Sequence, residues 1–132
     1  MNGYKPRKRP KTLVGSTQKV ETGCGNLYIT VNQDEEGLFE VFAHLGKAGQ
    51  CGAAQIESLC RCISAGLRSG VDPGVFVKQL RGIRCPSPGL DEGVQILSCA
   101  DGIATALSKE LKEKSEKKVT SNTIRKSQLS SL

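Results

Sequence analysis

The chain has 132 residues, 37% of them hydrophobic, with three Phe, two Tyr and no Trp, so it can bury one modest and mainly aliphatic core. Its formal net charge of +6 sits at the two ends, with Lys5, Arg7, Lys8, Arg9 and Lys11 at one and the run from Lys109 to Lys126 at the other. No apolar run approaches the roughly 20 residues of a membrane span, and no hydrophobic stretch follows the basic N-terminus as a secretory signal requires. These features exclude a membrane partner and lead us to expect a cytoplasmic protein. In a reducing compartment, six cysteines point to metal ligation or thiol chemistry rather than to disulfides.

Residues 1–15 combine Pro6 and Pro10 with the first basic cluster and read as an extended, flexible arm. The domain proper is expected over 16–111. Residues 18–22 alternate weakly as a first strand, and Gly23-Cys24-Gly25-Asn26 breaks it. Leu27, Ile29 and Val31 then mark one face of a clear strand. Asp34, Glu35, Glu36 and Gly37 form an acidic turn, expected to be solvated, and residues 38–44 return as the partner strand. His44, the single histidine, ends it in a capping or partly exposed place.

A glycine-rich stretch, Leu45 to Gly52, feeds an amphipathic helix expected over 52–69, on which Ile56, Leu59, Cys60, Ile63 and Leu67 share a stripe. Gly46, Lys47 and Gly49 offer bare N–H groups and a positive charge, the makings of an anion site, while Cys51 lies where a thiolate is favoured. The alternative is a tight strand-to-helix connection that needs glycine only for packing. Gly70 is placed for a left-handed C-cap, and Asp72-Pro73 opens a shorter helix with Val75, Phe76 and Leu80 inward. Residues 82–89 read as irregular, and Val94, Ile96 and Leu97 return to the core. Ser98 or Asp101 caps a last helix carrying Ile103, Ala104, Leu107 and Leu111, and residues 112–132 read as a polar, disordered tail. The fold class is therefore α+β: a small antiparallel sheet of two or three strands covered by one long and two shorter α-helices.

The cysteines divide by context. Cys60 lies on the apolar stripe and packs as a small hydrophobe, and Cys62 points elsewhere. Cys24, Cys51, Cys85 and Cys99 each stand at a turn or a helix start, and four such junctions can converge on zinc or an iron–sulfur cluster. None is paired as Cys-x-x-Cys, which leaves redox thiols and structural thiols as alternatives. There is no Walker A order and no Ser-His-Asp arrangement.

The run Thr22 to Asn32, then Gly37 to Gly46, Leu67 to Pro73 (Leu-Arg-Ser-Gly-Val-Asp-Pro) and Lys78 to Pro86, resembles the TSCPD domain found near the C-terminus of adenosylcobalamin-dependent (class II) ribonucleotide reductases. The signature segment reads Leu97-Ser98-Cys99-Ala100-Asp101, departing from Thr-Ser-Cys-Pro-Asp at Leu97 and Ala100 while keeping Ser98, Cys99 and Asp101. The resemblance implies an accessory module without reductase activity of its own. The catalytic barrel is absent, and cobalamin would enter only through a partner enzyme. Cys24, Cys51, Cys85 and Cys99 fall on the family's pattern; Cys60 and Cys62 do not. Two functions follow as expectations: a helper docking on a reductase catalytic subunit, or a binding module whose basic tails engage nucleic acid or an acidic protein.

Overall fold

The computed structural model describes residues 5–46 and 50–130 of the chain, with side chains described within 5–46 and 52–116. Strands β1 (Val14–Thr22), β2 (Gly25–Asp34) and β3 (Gly37–Leu45) form an antiparallel sheet in the order β1-β2-β3. Leu27, Ile29 and Val31 are fully buried on one face, as their alternation predicts. The β2–β3 register slips between Asn32 and Gln33, so Glu40 pairs with Asn32 but Leu38 pairs with Gln33. The slip is a bulge at Phe39, and it interrupts the alternation: Leu38, Phe39, Glu40 and Val41 are buried in succession.

Helix α1 (Gln50–Arg68) runs back along β3. Ile56, Cys60, Ile63 and Leu67 are buried as expected, whereas Leu59 lies at the margin of the core and is only half-buried. Burying one such aliphatic side chain is worth about 1.5–3 kcal/mol. The helix also closes the open edge of β3. Ser64 Oγ accepts from the Val41 N–H at 3.0 Å and donates to the Val41 carbonyl at 3.1 Å. One turn earlier, the Cys60 sulfur meets the Ala43 N–H, and burial pushes this thiol up to about 11. Cys60 is thus a packing residue that also caps a strand edge.

Helix α1 ends in a Schellman motif: the Val71 N–H donates to the Gly66 carbonyl, the Gly70 N–H to Leu67, and Gly70 has φ +93°. Asp72 then caps α2 (Pro73–Leu80), its carboxylate accepting from the Gly74 N–H at 2.8 Å. Val75, expected inward, is 47% exposed. The inner face of α2 is centred on Phe76, Val77 and Leu80, with Phe76 against Gly66, where a Cβ would come within 2.5 Å of the ring.

The segment after α2 holds a second hairpin that sequence reading passed over, β4 (Gly89–Asp91) and β5 (Val94–Ile96). Its two-residue turn, Glu92-Gly93, has both φ angles positive, +48° and +82°, the geometry that tight hairpins require. Ile96 reaches the core, Leu97 is half-buried and Val94 points out.

Helix α3 (Cys99–Ser130) is the longest helix, and its backbone stays helical through the polar stretch from Lys112. Ile103, Ala104, Ala106 and Leu107 are buried, and α3 packs on β1 and β2. Among the described residues, no helix is long and apolar enough to cross a membrane.

Candidate functional site

Three chain segments meet at the end of the sheet where β1 turns into β2. The turn is Gly23-Cys24: the Thr22 hydroxyl donates to the Gly25 carbonyl at 2.8 Å and accepts from the Cys24 N–H at 3.2 Å, and Gly25 has φ +120°. Glycine is required beside Cys24 for a second reason. A Cβ at Gly23 would fall 1.7 Å from the Ser87 carbonyl oxygen, and one at Gly89 would fall 2.5 Å from the Gly23 nitrogen. Backbone therefore packs directly on backbone here, and the loop carrying Cys85 lies against the turn carrying Cys24.

Asp101 holds that loop from the other side. One carboxylate oxygen accepts from the Gly82 N–H at 2.9 Å and the other from the Leu97 N–H at 3.0 Å. Ser98 caps α3 by accepting from the Asp101 N–H at 3.1 Å, and the side chains of Ser98 and Asp101 are both buried. The Cys85 N–H donates to the Leu97 carbonyl at 2.9 Å, and the Cys85 sulfur accepts from the Ser87 N–H at 3.4 Å. The signature residues Ser98 and Asp101 are thus positioning residues that set Cys85 beside the first turn of α3.

Cys99 opens that turn and is half-buried against the core. Burial pushes its thiol up, and the neighbouring Cys24 pushes further; the Thr22 hydroxyl opposes them, while Cys85 and a hydrogen bond with Cys24 raise it again. Cys99 thus lies near both Cys24 and Cys85, with Cys24 exposed and the other two half-covered. The N-termini of α1 and α3 both lie at this end: the Gly46 N–H bonds the Asn26 carbonyl at 2.9 Å, and Gly52 stands beside Leu45. Gly46 was expected to present a bare N–H, but its N–H is used in this bond. Lys47 and Gly49 lie outside the described residues, as does the side chain of Cys51. Cys62 is exposed on α1, and His44 is exposed and stacked on Tyr28 at 5.5 Å. Among the described residues, no three His, Cys, Asp or Glu side chains stand in an arrangement that could hold a metal ion.

A second constellation, at the opposite end of the sheet, was missed in the sequence. Glu40 is fully buried, and Arg9 grips it with both prongs of its guanidinium, Nε to Oε2 at 3.0 Å and Nη2 to Oε1 at 2.9 Å. Asn32 Nδ2 donates to Oε1 at 2.9 Å and Arg68 Nη2 to Oε2 at 3.0 Å. Burial alone would raise the Glu40 pKa, but the bonds from Arg9, Asn32 and Arg68 more than offset it and leave it lowered. Arg7 donates to Asp34 at 3.1 Å, to Glu36 at 2.8 Å and to the Leu38 carbonyl at 3.1 Å, and both Arg7 and Arg68 lie over the Phe39 ring. The acidic turn, expected to be only solvated, therefore binds the basic segment before β1. A lone Glu inside the apolar run Leu38-Phe39-Glu40-Val41-Phe42 was the available signal, since a buried carboxylate needs a partner.

These features define a small α+β module that gathers thiols at one end and a buried, ion-paired carboxylate at the other. The TSCPD domain model matches residues 2–111, and the chain belongs to that family. It is 33% identical over 92 residues to the vitamin B12-dependent ribonucleotide reductase of Streptantibioticus cattleyicolor, a match covering 67% of this chain and 15% of that protein. The proteins of the same name from Streptomyces clavuligerus and Streptomyces coelicolor are 32% identical over 92 residues, 67% of this chain and 10% of theirs. The chain thus spans only a small part of the curated relatives it matches. No solved structure matches it.

Proposed function

We propose that this chain is an accessory module of ribonucleotide reduction that docks on a larger B12-dependent reductase and presents its cysteine end there. The observation that carries the reading is the convergence of Cys24, Cys85 and Cys99, held by the Ser98–Asp101 cap and the Gly23–Gly89 contact, in a family whose matched relatives are such reductases. Cobalamin and the substrate belong to the partner in this reading, and the chain alone turns nothing over. Cys51, at the start of α1, is the fourth thiol the sequence offers, and four thiols are the softness that zinc or an iron–sulfur cluster selects. The described geometry alone supports interacting thiols rather than a closed ligand set, so the function is argued through the thiols.

The arm does little for the nucleic-acid reading, because Arg7 and Arg9 are paired with carboxylates. The test is co-purification of the tagged chain with the catalytic subunit of a B12-dependent reductase, before and after alkylation of Cys24. Retention that falls on alkylation is the expected result. Equal retention would remove the cysteine end from the interface, and no retention would overturn the docking. Metal analysis of anaerobically purified protein decides between bound metal and free thiols.

A further inference from the structure

The surface around Glu40 is organised before the arm reaches it. Asn32 and Arg68 each hold one oxygen of the carboxylate, so it stays aimed when Arg9 is taken away. Asp34 is likewise fixed by the Glu36 and Gly37 N–H groups, at 3.0 and 3.2 Å. Without the arm, Glu40 keeps the Arg68 guanidinium, Asp34 and Glu36 lose the Arg7 guanidinium that pairs with both, and the Lys114 ammonium lies beside the same turn at Gly37. The arm itself adopts no regular structure over residues 5–13. Its anchoring is by side chains, with one backbone bond from the Arg7 N–H to the Arg68 carbonyl at 2.9 Å. The fit in cis is incomplete, since Arg7 Nε is buried without an acceptor among the described residues.

We infer that the Glu40 surface is a receptor for an extended peptide carrying Arg-x-Arg, for which residues 5–13 are the ligand in cis and which a trans peptide of the same pattern occupies when the arm is weakened. Recognition rests on the forked guanidinium, which matches a carboxylate in two bonds and stacks on an aromatic ring; lysine carries the charge but does neither. The preorganised carboxylates mean that little ordering is needed on the receptor side. The arm competes at the millimolar effective concentration typical of a short tether, so the intact protein masks its own site.

The experiment is fluorescence anisotropy with a labelled synthetic peptide of residues 5–13, titrated with the full chain. A chain carrying Arg7→Lys and Arg9→Lys keeps the arm charge without the forks. It should bind the peptide at least about tenfold more tightly than wild type does. Changing Glu40→Gln in that background should weaken binding roughly thirtyfold or more. A peptide with both arginines changed to lysine should fail to compete. The lysine variant must show unchanged helix content by circular dichroism; if it does not fold, Arg9→Lys alone serves the same purpose. A folded variant that ignores the peptide overturns the inference. So does one that takes the lysine peptide equally well, or that binds undiminished after Glu40→Gln.

Discussion

At the end of the sheet where β2 turns into β3, the buried charge is satisfied by four donated hydrogen bonds to Glu40. At the other end, Cys99 lies near Cys24 and Cys85 where turns and helix N-termini meet, with the Thr22 hydroxyl beside it and backbone packed on backbone at Gly23 and Gly89. The same strands link both ends, so the contrast comes from what each end packs against. One end receives the C-terminus of α1 and the arm, which supply cations; the other receives the N-terminus of α3 and a half-buried Cys99 whose thiol is pushed up by burial and by Cys24. A buried carboxylate with fixed donors and a set of neighbouring thiols thus sit at opposite ends of one sheet.

The contrast breaks most severely at Glu40. Glu40→Ala leaves Arg68 and Asn32 facing a hole and frees Arg9, and we expect a loss of about 3–5 kcal/mol, read as a lower urea midpoint. The reactivity of Cys24 toward a small alkylating reagent should be unchanged. Next comes Gly23→Ala, where the new Cβ meets backbone that cannot step aside. A cost of about 1–3 kcal/mol is expected, together with faster alkylation of Cys85 and Cys99 as the loop is pushed off the turn. Ser98→Ala removes the α3 cap and should cost about 1 kcal/mol, with Cys85 again the thiol that responds.

The smallest effects separate the ends by pH. Folding lowers the Glu40 pKa, so its contribution is complete above the unfolded value of about 4.3 and is lost as pH falls through the folded one. Glu40→Gln should flatten the acid limb of the unfolding profile. Cys60 runs the other way, because folding raises its pKa to about 11. Its contribution is complete below the unfolded thiol value and is lost as pH rises through the folded one. Cys60→Ala should therefore weaken the alkaline loss, and in the wild type Cys60 should alkylate after Cys24 and Cys62.

Legibility in the sequence followed the range of each interaction. The alternation of Leu27, Ile29 and Val31, the stripe on α1, the Asp72-Pro73 start, the Gly70 stop and the Ser98–Asp101 cap are local patterns, and the structure contains each of them. The places of Cys24, Cys85 and Cys99 at turns and a helix start were readable through neighbouring glycine, proline and serine. The inner face of α2 and the half-burial of Leu59 were not readable, since they depend on where Phe76 meets Gly66 and where the helix crosses the sheet.

What the sequence by itself determined is the α+β class, the main elements and the family, all carried by contacts among residues close in the chain. Only the tertiary structure decided that Glu40, paired with Asn32, is buried, that Arg9 and Arg68 converge on it from 31 and 28 residues away, and that Gly23 and Gly89 meet to bring Cys24 toward Cys85. A bulge changes which side chains face inward without altering composition. A charge pair across the chain leaves no period in the sequence, because its energy depends on burial and distance, which exist only after the sheet and helices have packed.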